Sequence, residues 1–258
     1  MEVDTTEIDY NDYLKLRHIR IDRGKFAYID VPNKKSFRTD SLCANLDGEL
    51  ALGDFDADVT LANRRTNLKV DGVRMLHNIP LKMDGHIACT NQATYTLTDF
   101  RTVLGSLDMM ANGDLTLIDD STDVTSIDFN LDYALTSPDV KTIFDLIPQD
   151  VISLPINVED GSVNFEGSIR GIYNDHDYPI FHTDLRIDGV KAQYEGMTEK
   201  VEDLSAIIHM SIDDTSIDSS YIDMDILHFL GGKSELTAQA HLKRMFADPT
   251  ITARVDGH

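Results

Sequence analysis

The 258 residues carry 23 Lys and Arg against 45 Asp and Glu, a formal charge of −22, which repels phosphate backbones and excludes nucleic acid as an expected partner. Apolar residues make up 41% of the chain, enough to build a sizeable core rather than a disordered coil. Trp is absent and the aromatic fraction is 7%, which argues against a carbohydrate module built on exposed indoles.

Residues 1–10 are acidic and lack the basic and apolar regions of a signal peptide, and no apolar run approaches the ~20 residues of a membrane span. The expectation is a segment cut from a longer exported chain. From Leu14 the text is strand and turn. Leu14, Leu16, Ile19 and Ile21 lead into Asp22-Arg23-Gly24, so residues 14–30 read as a hairpin. Ala57, Val59 and Leu61 alternate with polar neighbours, as do Leu68 and Val70, then Ala93, Tyr95 and Leu97, then Leu115 and Leu117. Asp-Gly begins at Asp47, Asp71, Asp84, Asp160, Asp188 and Asp256, and Asn-Gly at Asn112. Both dipeptides accept the positive φ of tight hairpins, so each marks an expected turn in an antiparallel meander.

The period is cleanest at Ile127, Phe129, Leu131, Tyr133 and Leu135, with Asp128, Asn130 and Asp132 between them. That strand has one apolar and one wet face. The period then changes, because Val140, Ile143, Phe144 and Ile147 form one helical stripe. A short amphipathic helix is expected over 137–148, with Ser137 as N-cap, Pro138 at its first position and Pro148 closing it. Alternation resumes at Val163, Phe165 and Ile169, then Leu185 and Ile187, then Ala206 to Ile212, then Ile222, Met224 and Ile226, and finally Leu236 to Leu242.

The fold class that follows is all-β, mostly an antiparallel meander, with one short amphipathic helix. No Pro, Gly or Ser-rich linker divides the chain, so residues 1–258 read as one region. An echo allows two stacked β-units, about 1–136 and 160–258, joined by the helix. Residues 19–28, IRIDRGKFAY, align without gaps on 185–194, LRIDGVKAQY, an offset of 166, and share Arg, Ile, Asp, Lys and Tyr at five positions.

Chemistry is sparse. Nine His offer no His-x-x-x-His and the two Cys no Cys-x-x-Cys, so no metal site is expected. Cys43 and Cys89 read as unpaired thiols, with one disulfide as the alternative in an oxidising compartment. Residues 174–177 have oxygen ligands without the spacing of a calcium loop, and read as an acidic turn. The pairs Asp119-Asp120 and Asp213-Asp214 read as solvated acids rather than a glycosidase dyad. Phosphate-loop, dinucleotide and Gly-x-Ser-x-Gly motifs are absent, so neither an enzyme nor a cofactor is expected.

The order of the pieces is similar to that of the AsmA-like family of Gram-negative envelope proteins, near its TamB group. It is carried by NLKVDGVRMLHNIPLKMDGHIAC, ATYTLTDF, NGDLTLID, SPDVKTIFDLIP, GSVNFEGSIRGIY with Gly161, Gly167, Gly171 and Tyr173, then YPIFHTDLRIDGVKAQY and LHFLGGKSELTAQAHLK. Gly189 stands one residue earlier than the family's frequent Asn-Gly. The resemblance implies an elongated sheet curled into an open apolar groove. It also implies a periplasmic location, a parent protein anchored in the inner membrane, and a role in intermembrane lipid transport or outer-membrane assembly. The partner it implies is phospholipid or another envelope lipid, with an envelope protein also possible. The alternating residues then become groove candidates: Tyr95, Leu97, Ile127, Phe129, Leu131, Tyr133, Phe165, Leu185, Ile187, Ile222, Met224 and Ile226. The alternative is a structural or interaction module that pairs through its sheet edges.

Overall fold

A computed structural model describes residues 16–50, 53–119, 125–146, 155–174, 176–196, 198–213, 219–245 and 248–258. Across them the chain is one antiparallel sheet of 13 strands whose spatial order is the sequence order. The strands are β1 (Leu16–Asp30), β2 (Lys35–Leu50), β3 (Phe55–Val70), β4 (Val73–Thr90), β5 (Thr94–Leu104), β6 (Leu107–Asp119) and β7 (Thr125–Ser137). After the helix α1 (Val140–Leu146) come β8 (Ile156–Tyr173), β9 (Ile180–Tyr194), β10 (Val201–Ile212), β11 (Tyr221–Gly231), β12 (Ser234–Lys243) and β13 (Thr250–Gly257). The fold is thus all-β with one short helix. Strands β1 and β13 form the two edges and do not meet, so the curled sheet stays open. Twelve interstrand intervals of ~4.8 Å give it a span of about 57 Å across the strands.

β7 pairs with β8 from Ile127 opposite Tyr173 to Ser137 opposite Val163. The sheet therefore runs unbroken from the first expected unit into the second. Among the described residues, strands pack substantially only on their sequence neighbours, and α1 packs on β7 and β8. Among the described residues there is no second sheet.

The strands are longer than the turn signals suggest. Residues 14–30 do not form a hairpin, because β1 runs straight through Arg23-Gly24. Of the Asp-Gly and Asn-Gly pairs, only Asp71-Gly72 closes a two-residue turn, with φ of 52° and 84°. The others lie within strands, or at the end of β13 for Asp256-Gly257. The reason is that the freedom that suits a turn also suits a β-bulge or a backbone approach too close for a side chain. At Gly113, with φ of 124°, a Cβ would stand 2.0 Å from the Asn130 carbonyl oxygen on β7. The internal echo has the same origin. Arg23 and Gly189, equivalent at the 166 offset, adopt φ of 54° and 61° beside register shifts in β1–β2 and β8–β9. What repeats is a bulge, and bulges bend strands and raise the twist that lets so wide a sheet curl.

The helix is shorter than its stripe and capped differently. Ser137 belongs to β7, is fully buried, and donates its hydroxyl to the Asp139 carbonyl at 2.8 Å. Asp139 is the N-cap: its Oδ1 accepts the Lys141 amide at 3.0 Å and its Oδ2 the Thr142 hydroxyl at 3.3 Å. A carboxylate reaches that amide and that hydroxyl where a buried serine at a strand end cannot. Val140, Ile143 and Phe144 pack onto Val158, Val190, Val163 and Ile187, so the apolar stripe faces the sheet. Ile147 and Pro148 lie outside the described residues.

Gly113→Val is expected to destabilise the fold by on the order of 3 kcal/mol, through strain and the clash with β7. Gly189→Asn, where a side chain meets open space, is expected to cost less than about 1 kcal/mol. Urea midpoints of the two variants check this ordering.

Candidate functional site

Side chains alternate across a strand, so the pairing register decides which residues share a face. One row runs from Leu61 on β3 through Met83, Thr102, Met109, Leu135, Phe165 and Leu185 to Ile208 and Met224 on β11. A second links Ala57, Ile87, Leu97, Gly113, Leu131, Ile169, Phe181 and Ile212. The rows form one apolar face that continues across most of the sheet. Its side chains are mainly half-buried: strand neighbours cover their flanks, and among the described residues no element but α1 packs over the face.

Ten of the sequence candidates stand together on this face, all half-buried: Tyr95, Leu97, Ile127, Phe129, Leu131, Tyr133, Phe165, Leu185, Ile222 and Met224. Two do not join the open part. Ile187 shares the face but is packed beneath α1, against the Val140, Val158 and Val190 cluster. Ile226 lies on the opposite face, 51% exposed and opposite Ile207. The cause is a bulge in β11: Met224 and Leu227 face Ala240 and Ala238, so one extra residue breaks the period of two.

The same effect hid residues that do belong. Leu97 and Phe100 are three apart, yet they face Gly113 and Ala111, two apart on β6, because β5 bulges around Asp99, whose φ is 47°. Phe100 thereby joins Met109, Ala111, Tyr133, Leu135 and Phe165 in lining an apolar hollow of about 310 Å³. The Asp99 in TYTLTDF, a residue that tolerates the left-handed region, was the available signal. Tyr133 gives the hollow a fixed wall. Its ring stacks on Phe165 at 5.3 Å, and its hydroxyl reaches Thr183 at 2.7 Å across Gly167. A Cβ on Gly167 would come 2.7 Å from that hydroxyl, so glycine leaves the passage open.

The opposite face is ionic. Arg101 pairs with Asp108, Arg170 with Asp132, and Lys200 with Glu159. His86 sits between Asp56 and Asp58, 3.4 and 3.0 Å away, and His209 between Asp184 of β9 and Asp225 of β11. The hydrogen bond to Asp58 raises the His86 pKa above 6.5, with smaller help from Asp56 and a small opposing effect of burial. The Asp184 hydrogen bond does the same for His209.

No three His, Cys, Asp or Glu among the described residues form a group able to hold a metal. Cys43 is exposed, Cys89 is buried, and both are free. Asn174 closes the 174–177 turn by accepting the His176 and Asp177 amides at 2.7 Å each. Asp120 and Asp214 lie outside the described residues. No described helix is long and apolar enough to cross a membrane. No family model, no curated protein and no solved structure matches the chain.

Raised histidine pKa values mean that the folded chain holds these protons more tightly than the unfolded one. The stabilisation is full below 6.5 and is lost as pH rises through the folded values. The melting temperature is therefore expected to be higher at pH 6 than at pH 8. That difference should shrink in the double variant His86→Asn, His209→Asn, as measured by thermal melts at both pH values.

Proposed function

We propose that the apolar face holds lipid acyl chains, and that the protein is a non-enzymatic, periplasmic, AsmA-like segment that helps lipids move between envelope membranes or supports outer-membrane assembly. The observation that carries this reading is the uncovered apolar face of an open sheet whose strands pair only with their sequence neighbours. A single-layer sheet with one apolar side must cover that side with something, and among the described residues there is no second protein layer to do so. Moving one methylene out of water gains about 0.8 kcal/mol, so a chain of roughly 16 carbons gains on the order of 12 kcal/mol before ordering costs. The hollow beside Tyr133 offers a first seat, and the rows beyond it extend the same surface. The open side lets a charged headgroup remain in water while its tails are held.

One observation favours a second reading, an envelope interaction module. All eight residues of β13 are exposed, and its pairing with β12 has no bulge. A regular, unprotected edge accepts a partner strand. In that reading Thr252→Lys, on the ionic face of the edge strand opposite His241, removes partner capture and leaves acyl binding unchanged.

The lipid reading is tested at Leu131, half-buried at the centre of the apolar face. Leu131→Asp is expected to keep the β-sheet circular dichroism and to lower binding of a fluorescent fatty-acyl probe at least tenfold. Unchanged binding by the folded variant would remove Leu131, and with it the centre of this face, from the proposed groove.

A further inference from the structure

The charge of −22 is not spread evenly along the sheet. Residues 16–82, which form β1 to β3 and the first half of β4, contain twelve Lys and Arg against nine Asp and Glu. Residues 83–258 contain ten against thirty-one. The two ends also use their cations differently. Arg101, Arg170, Arg186, Lys191, Lys200 and Arg254 each lie within 4.0 Å of a carboxylate. In β1 to β4 only Arg23 does, beside Asp22 at 3.9 Å.

Four of these cations, Lys34, Lys35, Lys69 and Arg74, stand at one corner, in or next to two turns. The β1–β2 and β3–β4 turns are joined by the Gly72 amide, which donates to the Lys34 carbonyl at 3.0 Å. Lys35 stands opposite Asp30, Ser36 opposite Lys69, and Lys69 opposite Arg74. Lys69 and Arg74 are thus like charges placed face to face, an arrangement that destabilises a sheet, in a chain with 45 acids to choose from. The acids of the corner are Asp30 and Asp71. Asp30 is occupied, accepting the Asn33 amide at 3.1 Å and its side chain at 2.8 Å, which fixes the turn. Beside the cations are the bare apolar side chains Phe26, Tyr28 and Ile29, each more than half exposed, and Val31, 76% exposed at the turn tip.

We propose that this corner docks on an anionic lipid surface, with Lys34, Lys35, Lys69 and Arg74 meeting the headgroup phosphates and Val31 and its aromatic neighbours entering the interface. Cations alone would suit any polyanion. Exposed aromatic and aliphatic groups next to them suit a bilayer interface, where such side chains are half-wet. An extended nucleic acid would meet the strongly negative remainder of the sheet and be repelled. Docking through the turns that end β1 to β4, at one edge of the sheet, leaves the other nine strands, β5 to β13, outside the docked corner. The inference goes beyond the acyl-binding reading and does not depend on it.

The test is flotation of the whole protein with vesicles of equal parts phosphatidylcholine and phosphatidylglycerol, against vesicles of phosphatidylcholine alone. Binding to the anionic vesicles only, weakened by salt, is expected. Each cation near such a surface contributes roughly fivefold, so changing Lys34, Lys35, Lys69 and Arg74 to Gln should lower partitioning by about two to three orders of magnitude. Val31→Ser should weaken it independently, at unchanged net charge. Leu131→Asp should leave it intact, which separates failure of docking from failure of acyl binding. Equal binding to neutral vesicles, no loss in the Gln variant, or capture of single-stranded DNA without vesicle binding would overturn the proposal.

Discussion

The constraint on which the rest depends is that one broad sheet carries an apolar face and, among the described residues, has no second layer to lay over it. A sandwich solves that problem with a second sheet and a barrel by closure. Here 13 strands follow one another in order, the edges stay apart, and among the described residues the only covering element is a helix of seven residues over one margin. The consequence runs through the whole molecule. Fully buried apolar side chains are few, and the cluster around Val140, Val158 and Val190 sits where the helix lies. Elsewhere stability comes from long ladders of backbone hydrogen bonds, from flank-to-flank contacts such as Tyr133 on Phe165, and from ion pairs on the other face. In the proposed function, an acyl chain laid on the apolar face would supply the missing layer.

Bulges connect this constraint to the chemistry of the chain. At Arg23, Asp99 and Gly189 the backbone takes positive φ within a strand, and at Asp225–Ile226 one extra residue intrudes. Each event bends its strand and changes which residues face inward. Such bends favour the twist and curl of a wide sheet, and the apolar hollow near Phe100 and Tyr133 is a direct product of the bulge in β5.

This also explains what was legible in the sequence. Alternation from Ile127 to Leu135 placed five residues correctly because β7 pairs with both neighbours without a register shift. The helical stripe was readable for the same kind of reason, since Val140, Ile143 and Phe144 reach a common floor. Turn signals were harder. Asp-Gly promises positive φ but not what the chain does next, and at Gly48, Gly85, Gly113 and Gly161 the strand simply continues. Ile226 went to the wrong face and Phe100 was passed over because a bulge is a one-residue event that periodicity averages away. The charge imbalance was present in the sequence from the start, but it acquires a location only when the β1–β2 and β3–β4 turns are seen side by side.

The central claim is that the uncovered face is occupied by lipid tails, and the most direct measurement is mass spectrometry of the apolar molecules that co-purify with the protein from a Gram-negative host, without detergent and at known stoichiometry. The account predicts phospholipid or another acyl lipid at about one or more molecules per chain, because each buried tail is worth on the order of 12 kcal/mol before ordering costs. A lipid-free, stable monomer would contradict it, and would mean that this face tolerates water without a ligand.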